Sequence, residues 1–74
     1  MTPLHDIDGF TVVLHWVRNV YPVEKLRVGW AWGFKFSNGF YETFSFESEK
    51  KATQTRAAFV DALTRYWSAE RAAR

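Results

Sequence analysis

Three residues near the start of the chain, His5, Asp6 and Asp8, bring one imidazole and two carboxylates within four positions. That is the ingredient set of a metal site or an acid–base pair. They fall in segment 1–8, which reads as a flexible terminus, and an untied chain end holds no catalytic geometry. The second histidine, His15, sits in an apolar alternation with no acid or nucleophile identifiable beside it. It falls mid-strand on the face away from the expected helix and reads as an ordinary surface or interface residue. The chain has no cysteine, which excludes a disulfide framework, a thiol nucleophile and a cysteine-held zinc. It also has no phosphate-cradling Gly-rich loop, dinucleotide fingerprint, nucleophile elbow or His-Glu-x-x-His pair. The residues therefore argue against an enzyme and call for no cofactor and no metal.

The remaining chemistry is cationic and aromatic. Lys50 and Lys51 follow Ser48, a good helix N-cap, and cations in a first helical turn oppose the helix dipole. They either extend into water or meet an anion, so they are the candidate anion contacts. Net charge is +2. It is uneven: residues 25–74 hold nine Lys/Arg against five Asp/Glu. That balance permits an anionic partner without the dense basic cluster of a dedicated nucleic-acid domain.

The elements that must position these groups are legible from periodicity. Between Leu26 and Phe36, Leu26, Val28, Trp30, Trp32, Phe34 and Phe36 alternate with Arg27, Gly29, Ala31, Gly33 and Lys35. Successive strand side chains face opposite sides of a sheet, so one face is aromatic and the other is nearly bare backbone with a cation at each end. An earlier alternation, with Phe10, Val12, Leu14 and Trp16 on one side, predicts a strand over 10–17. Asp8-Gly9 before it is a turn signal, and residues 18–25, with Tyr21-Pro22, read as a surface connection. Ser37-Asn38-Gly39 predicts a hairpin into a strand over 40–46. A three-residue loop with Gly39 left-handed pairs Phe36 with Phe40 and places Phe44 and Phe46 beside Trp32 and Phe34. A two-residue loop would turn them to the opposite face. From Ser48 onward, Ala52, Arg56, Phe59, Leu63, Tyr66 and Trp67 recur at helical spacing, predicting a helix over 49–70.

The expected fold is α+β, a three-stranded antiparallel β-meander followed by one C-terminal α-helix packed on one sheet face (βββα). Its 74 residues read as a single domain near the lower size limit for folding without staples. Seven Phe, four Trp and three Tyr supply the core, since each ring buries on the order of 150–250 Å². The start lacks a basic, apolar signal pattern and no stretch approaches a membrane span. The expectation is a soluble, cytoplasmic protein with no membrane partner.

The layout is similar to ethylene-response-factor-type and integrase-arm DNA-binding domains, and to the last two-thirds of a double-stranded-RNA-binding domain. The junction Phe46-Glu47-Ser48-Glu49-Lys50-Lys51-Ala52 resembles the Phe-Asp-Thr junction, with its nearby Ala, of the ethylene-response type. The resemblance implies DNA contact from cations and aromatics on the exposed sheet face, where Arg27 and Lys35 correspond in kind. Against the RNA-binding pattern, the chain keeps Lys50 but has Glu49 and Thr53 where lysines belong, and it lacks that family's first helix.

Two functional classes follow. The first is a non-enzymatic module that occupies a macromolecule's surface. Its partner is expected to be a protein, docked on Arg27, Gly29, Ala31, Gly33, Lys35 and Tyr41 with Val13 and Val17 alongside. Small single domains without a catalytic set are frequent among phage and mobile-element proteins that inhibit host machinery, such as anti-CRISPR proteins, and that is the finer expectation. The second is a small DNA- or RNA-binding domain using Arg27, Lys35, Lys50 and Lys51. A homodimer through the bare sheet face is a third arrangement.

Overall fold

A computed structural model describes residues 4–72. Asp8 and Gly9 both take positive φ, 48° and 87°. This is the two-residue mirror-image turn whose twist matches that of paired strands. It joins β1 (Leu4–Ile7) to β2 (Phe10–Val13) as an antiparallel hairpin with Ile7 opposite Phe10. The Asp6 carboxylate secures the turn, accepting from the Gly9 N–H at 3.3 Å and the Thr11 hydroxyl at 3.2 Å. The flexible-terminus expectation for 1–8 is therefore corrected over residues 4–8, and its first three residues lie outside the described ones.

The strand expected over 10–17 is interrupted. Leu14–Trp16 form one 3₁₀ turn, after which β3 (Val17–Val20) and the short β4 (Glu24–Lys25) run antiparallel to one edge of β5 (Trp30–Phe36). The Tyr21 N–H donates to the Gly33 carbonyl at 2.8 Å between them. Residues 17–25 thus form a broken edge, with a bulge at Val17/Asn19 and an interruption at Pro22, where a surface connection is expected. Strand 26–36 also starts later than its alternation suggests. The Leu26 N–H donates to the Gly29 carbonyl at 3.0 Å, and Gly29 has φ 89°. Arg27 and Val28 therefore occupy a turn tip.

The second hairpin keeps the expected register. The Phe36 N–H donates to Phe40 at 2.8 Å, the Gly39 N–H donates to Phe36 at 3.0 Å, and Gly39 has φ 95°. Trp32 lies opposite Phe44 and Trp30 opposite Phe46 in β6 (Tyr41–Phe46). The Ser48 hydroxyl accepts from the Lys51 N–H at 3.1 Å, capping α1 (Glu49–Ala72). Asp61 and Arg65 pair at 3.0 Å along that helix.

The protein is α+β, with antiparallel strands and one C-terminal helix. Among the described residues, six strands form two sheets, the β1–β2 hairpin and a four-stranded sheet of β3, β4, β5 and β6 with β5 central. This corrects the three-stranded meander. The alternations at 10–17 and 26–36 each conceal a turn, and 4–7 is a strand. Ala52, Phe59 and Tyr66 of the helix bury with Trp32, Phe34 and Phe46 of the sheet and with Ile7, Val12, Leu14 and Val17 from the first part of the chain. Among the described residues, no helix is long and apolar enough to cross a membrane.

Candidate partner-binding surface

On β5, Ala31, Gly33 and Lys35 alternate away from the helix-covered face, as expected. The register places Asn19 and Tyr41 beside Lys35, Thr43 and Tyr21 beside Gly33, and Ser45 and Glu24 beside Ala31. Tyr21 and Tyr41 flank β5 from its two sides, and their rings meet edge to face with centroids 6.4 Å apart. A groove of about 270 Å³ lies here, with Ala31 and Gly33 in its floor and Tyr21, Glu24, Tyr41 and Thr43 along its sides.

This face is less bare than its sequence. Ala31 is only 4% exposed. The glycines also have a reason inside the sheet. A Cβ on Gly33 would collide with the Glu42 carbonyl oxygen, and one on Gly29 would stand 2.6 Å from the Phe46 carbonyl oxygen. Close approach of β6 to β5 accounts for both without a partner.

The other expected contacts are dispersed. Lys35 is half-buried on the outer face and Tyr41 is exposed there. Arg27 and Gly29 belong to the β4–β5 turn. Val13 is half-buried in β2, opposite Leu4. Val17 is 5% exposed and part of the core, which corrects its placement on an open face. The 3₁₀ turn is the cause, because it resets the strand alternation just before Val17.

Lys50 and Lys51 are exposed in the first turn of α1. The hollow beside Lys51 is bordered by Asp8, Glu47 and Ser48, so carboxylates share the neighbourhood of this candidate anion contact. Arg27 and Lys35 sit at opposite ends of β5, whose seven residues alone span about 20 Å. The four cations do not converge on one phosphate-sized site.

Both histidines have structural partners. His15 Nδ1 lies 2.9 Å from the Tyr66 hydroxyl, and its ring also packs near Trp67. It therefore faces the helix, a correction to its expected outward placement. The His5 ring meets Phe59 edge-on at 5.6 Å, whereas the Asp6 carboxylate serves the turn. Among the described residues, no group of three or more His, Asp or Glu is placed to hold a metal ion.

Tyr21 is the surface residue that sequence reasoning missed. The usable signal was an aromatic residue two positions after Asn19, available to cover a cross-strand glycine. Pro22 hid it by marking the segment as a connection. In comparisons with known proteins, the chain matches no family model, no curated protein and no solved structure.

Proposed function

We propose that this protein is a non-enzymatic binding module that occupies the surface of a protein partner through the outer face of β5 and its neighbours. The observation that carries this reading is the tyrosine pair. Tyr41 is 65% exposed and Tyr21 is 42% exposed, yet their rings are held against each other beside the groove. Tyrosine offers a large amphipathic contact area with few torsions to freeze, and Ser, Thr and Asn around it adapt by hydrogen bonding. Asn19, Thr43 and Ser45 supply that setting, with Glu24 and Lys35 adding one charge of each sign. Inhibition of host machinery by a mobile-element protein is the finer form of this reading. The DNA- or RNA-binding alternative requires Arg27, Lys35, Lys50 and Lys51 to act from separate places, and it receives no support from their distribution.

The test is capture of partners from a host lysate with and without nuclease, followed by affinity measurement on Tyr21→Ala and Ala31→Arg. The expected partner survives nuclease. Removing the Tyr21 ring weakens it roughly tenfold or more, as loss of an interface anchor does, and Ala31→Arg fills the groove and abolishes binding. Full affinity in both variants, with the fold intact, overturns the assignment.

A further inference from the structure

The two long edges of the four-stranded sheet are unequal. The edge made by β3 and β4 carries a bulge, Pro22, and the Arg56 side chain, whose Nε donates to the Tyr21 carbonyl at 2.8 Å. These are the devices that stop an edge from pairing with another chain. The β6 edge has no bulge and no Pro, and its one charged residue, Glu42, lies on the helix side. The edge runs six residues, Tyr41–Phe46, without Pro, Lys or a register shift.

The hydrogen-bond pattern identifies which groups this edge offers. Phe36 and Phe40 form a hydrogen-bonded pair. Antiparallel ladders alternate, so residues 42, 44 and 46 also turn their N–H and C=O groups toward β5. Tyr41, Thr43 and Ser45 turn theirs outward. All three residues are exposed, and among the described strands β6 pairs with β5 alone. Asp8 of the first hairpin and Ser45 border one open hollow of about 320 Å³, and the hairpin's Phe10 ring meets the Phe44 ring edge to face at 5.5 Å on the helix side of β6.

We propose that β6 pairs antiparallel with β6 of a second copy of this chain about a two-fold axis at Thr43, joining two four-stranded sheets into one of eight. An isologous contact needs a segment complementary to itself, and this one is. Thr43 faces Thr43 of the second copy, and Tyr41 faces Ser45 in both directions, so all the outward groups are used. The only charged residue of β6, Glu42, falls opposite Phe44 of the second copy, and no like charges meet. The contact uses the main-chain edge of β6 and leaves Tyr21 and Ala31 free, while the side chains of Tyr41, Thr43 and Ser45 stay on the outer face that the partner-binding reading uses.

The chain has no native cysteine, which makes a single introduced thiol a clean reporter. Residues in a hydrogen-bonded antiparallel pair have Cα atoms about 5.5 Å apart. Under mild oxidation, Thr43→Cys crosslinks to a covalent dimer roughly tenfold or more faster than Tyr41→Cys, because only the first lies within disulfide reach of its own mate. Light scattering of the native chain shows mass rising from monomer to dimer with concentration. Thr43→Pro, which removes an outward N–H while sparing the β5 ladder, stays monomeric. A monomer mass for the native chain at every concentration overturns the proposal, as does equal crosslinking at positions 41 and 43. Tyr21→Ala retains the dimer, which separates failure of this contact from failure of the outer-face reading.

Discussion

The Phe59 ring of the helix stacks on the Phe34 ring of the central strand, with centroids 4.9 Å apart and planes at 19°. Both side chains are fully buried. Trp32 approaches the same Phe59 ring at 5.4 Å. One helix residue therefore joins two of the most deeply buried rings of the sheet, and such pairs add about 0.5–1.5 kcal/mol beyond the area they bury.

Phe59→Ala is accordingly expected to cost about 3–5 kcal/mol. That is comparable to the whole net stability of a core this small, about 3–5 kcal/mol. Equilibrium urea unfolding checks it. A midpoint equal to the parent's would detach the helix from the aromatic face.

Trp32 is nearly fully buried, and its indole N–H donates to the Thr55 hydroxyl at 3.0 Å. Thr55→Val keeps the shape and removes the acceptor, leaving a buried donor unpaired at a cost of about 1–3 kcal/mol. Thr55→Ser keeps the acceptor and should lose much less. Thermal melts, with exchange of the Trp32 indole proton followed by NMR, distinguish the two.

Glycine substitutions should separate crowding from backbone strain. Gly33→Ala drives a methyl into the Glu42 carbonyl, and overpacking of this kind costs about 1–3 kcal/mol. Gly39→Ala meets nothing within 4 Å, so its penalty is only that of a left-handed residue, about 1–2 kcal/mol. Gly33→Ala is expected to be at least as damaging in a melt. A neutral Gly33→Ala would return the glycine to the role of admitting a partner.

Salt dependence distinguishes the two classes of partner. If Arg27, Lys35, Lys50 and Lys51 all neutralise duplex phosphates, log K falls against log salt with a slope of roughly −3 to −4, and each removal flattens it by about one. Docking through Tyr21 and Tyr41 predicts a much shallower slope. Affinity titrations at several salt concentrations give the answer directly.

The second hairpin and the helix were readable in the residues because each is over-determined locally. A one-residue slip at Asn38-Gly39 would turn Phe44 and Phe46 away from Trp32, so the pattern admits one register. Ser48 marks the helix start and Ala52, Phe59 and Tyr66 mark its buried stripe, both short-range signals. The aromatic face of β5 and the outward placement of Ala31, Gly33, Lys35 and Tyr41 follow from the same alternation.

Tertiary structure decided the rest. Alternation reports which way side chains point and is silent about where a strand bends, so Phe10 to Trp16 reads as continuous although a 3₁₀ turn starts at Leu14. That turn carries Val17 into the core and His15 onto Tyr66, the latter a contact 51 residues apart that no local window contains. Asp8-Gly9 is legible as a turn signal before Phe10, but residues 4–7 are too short to declare themselves a strand. They are a strand because Ile7 and His5 find the core and Phe59. Gly33 is the sharpest case. Its small size was visible in the chain, whereas the reason for it, the Glu42 carbonyl pressing from the next strand, exists only once β6 has folded against β5.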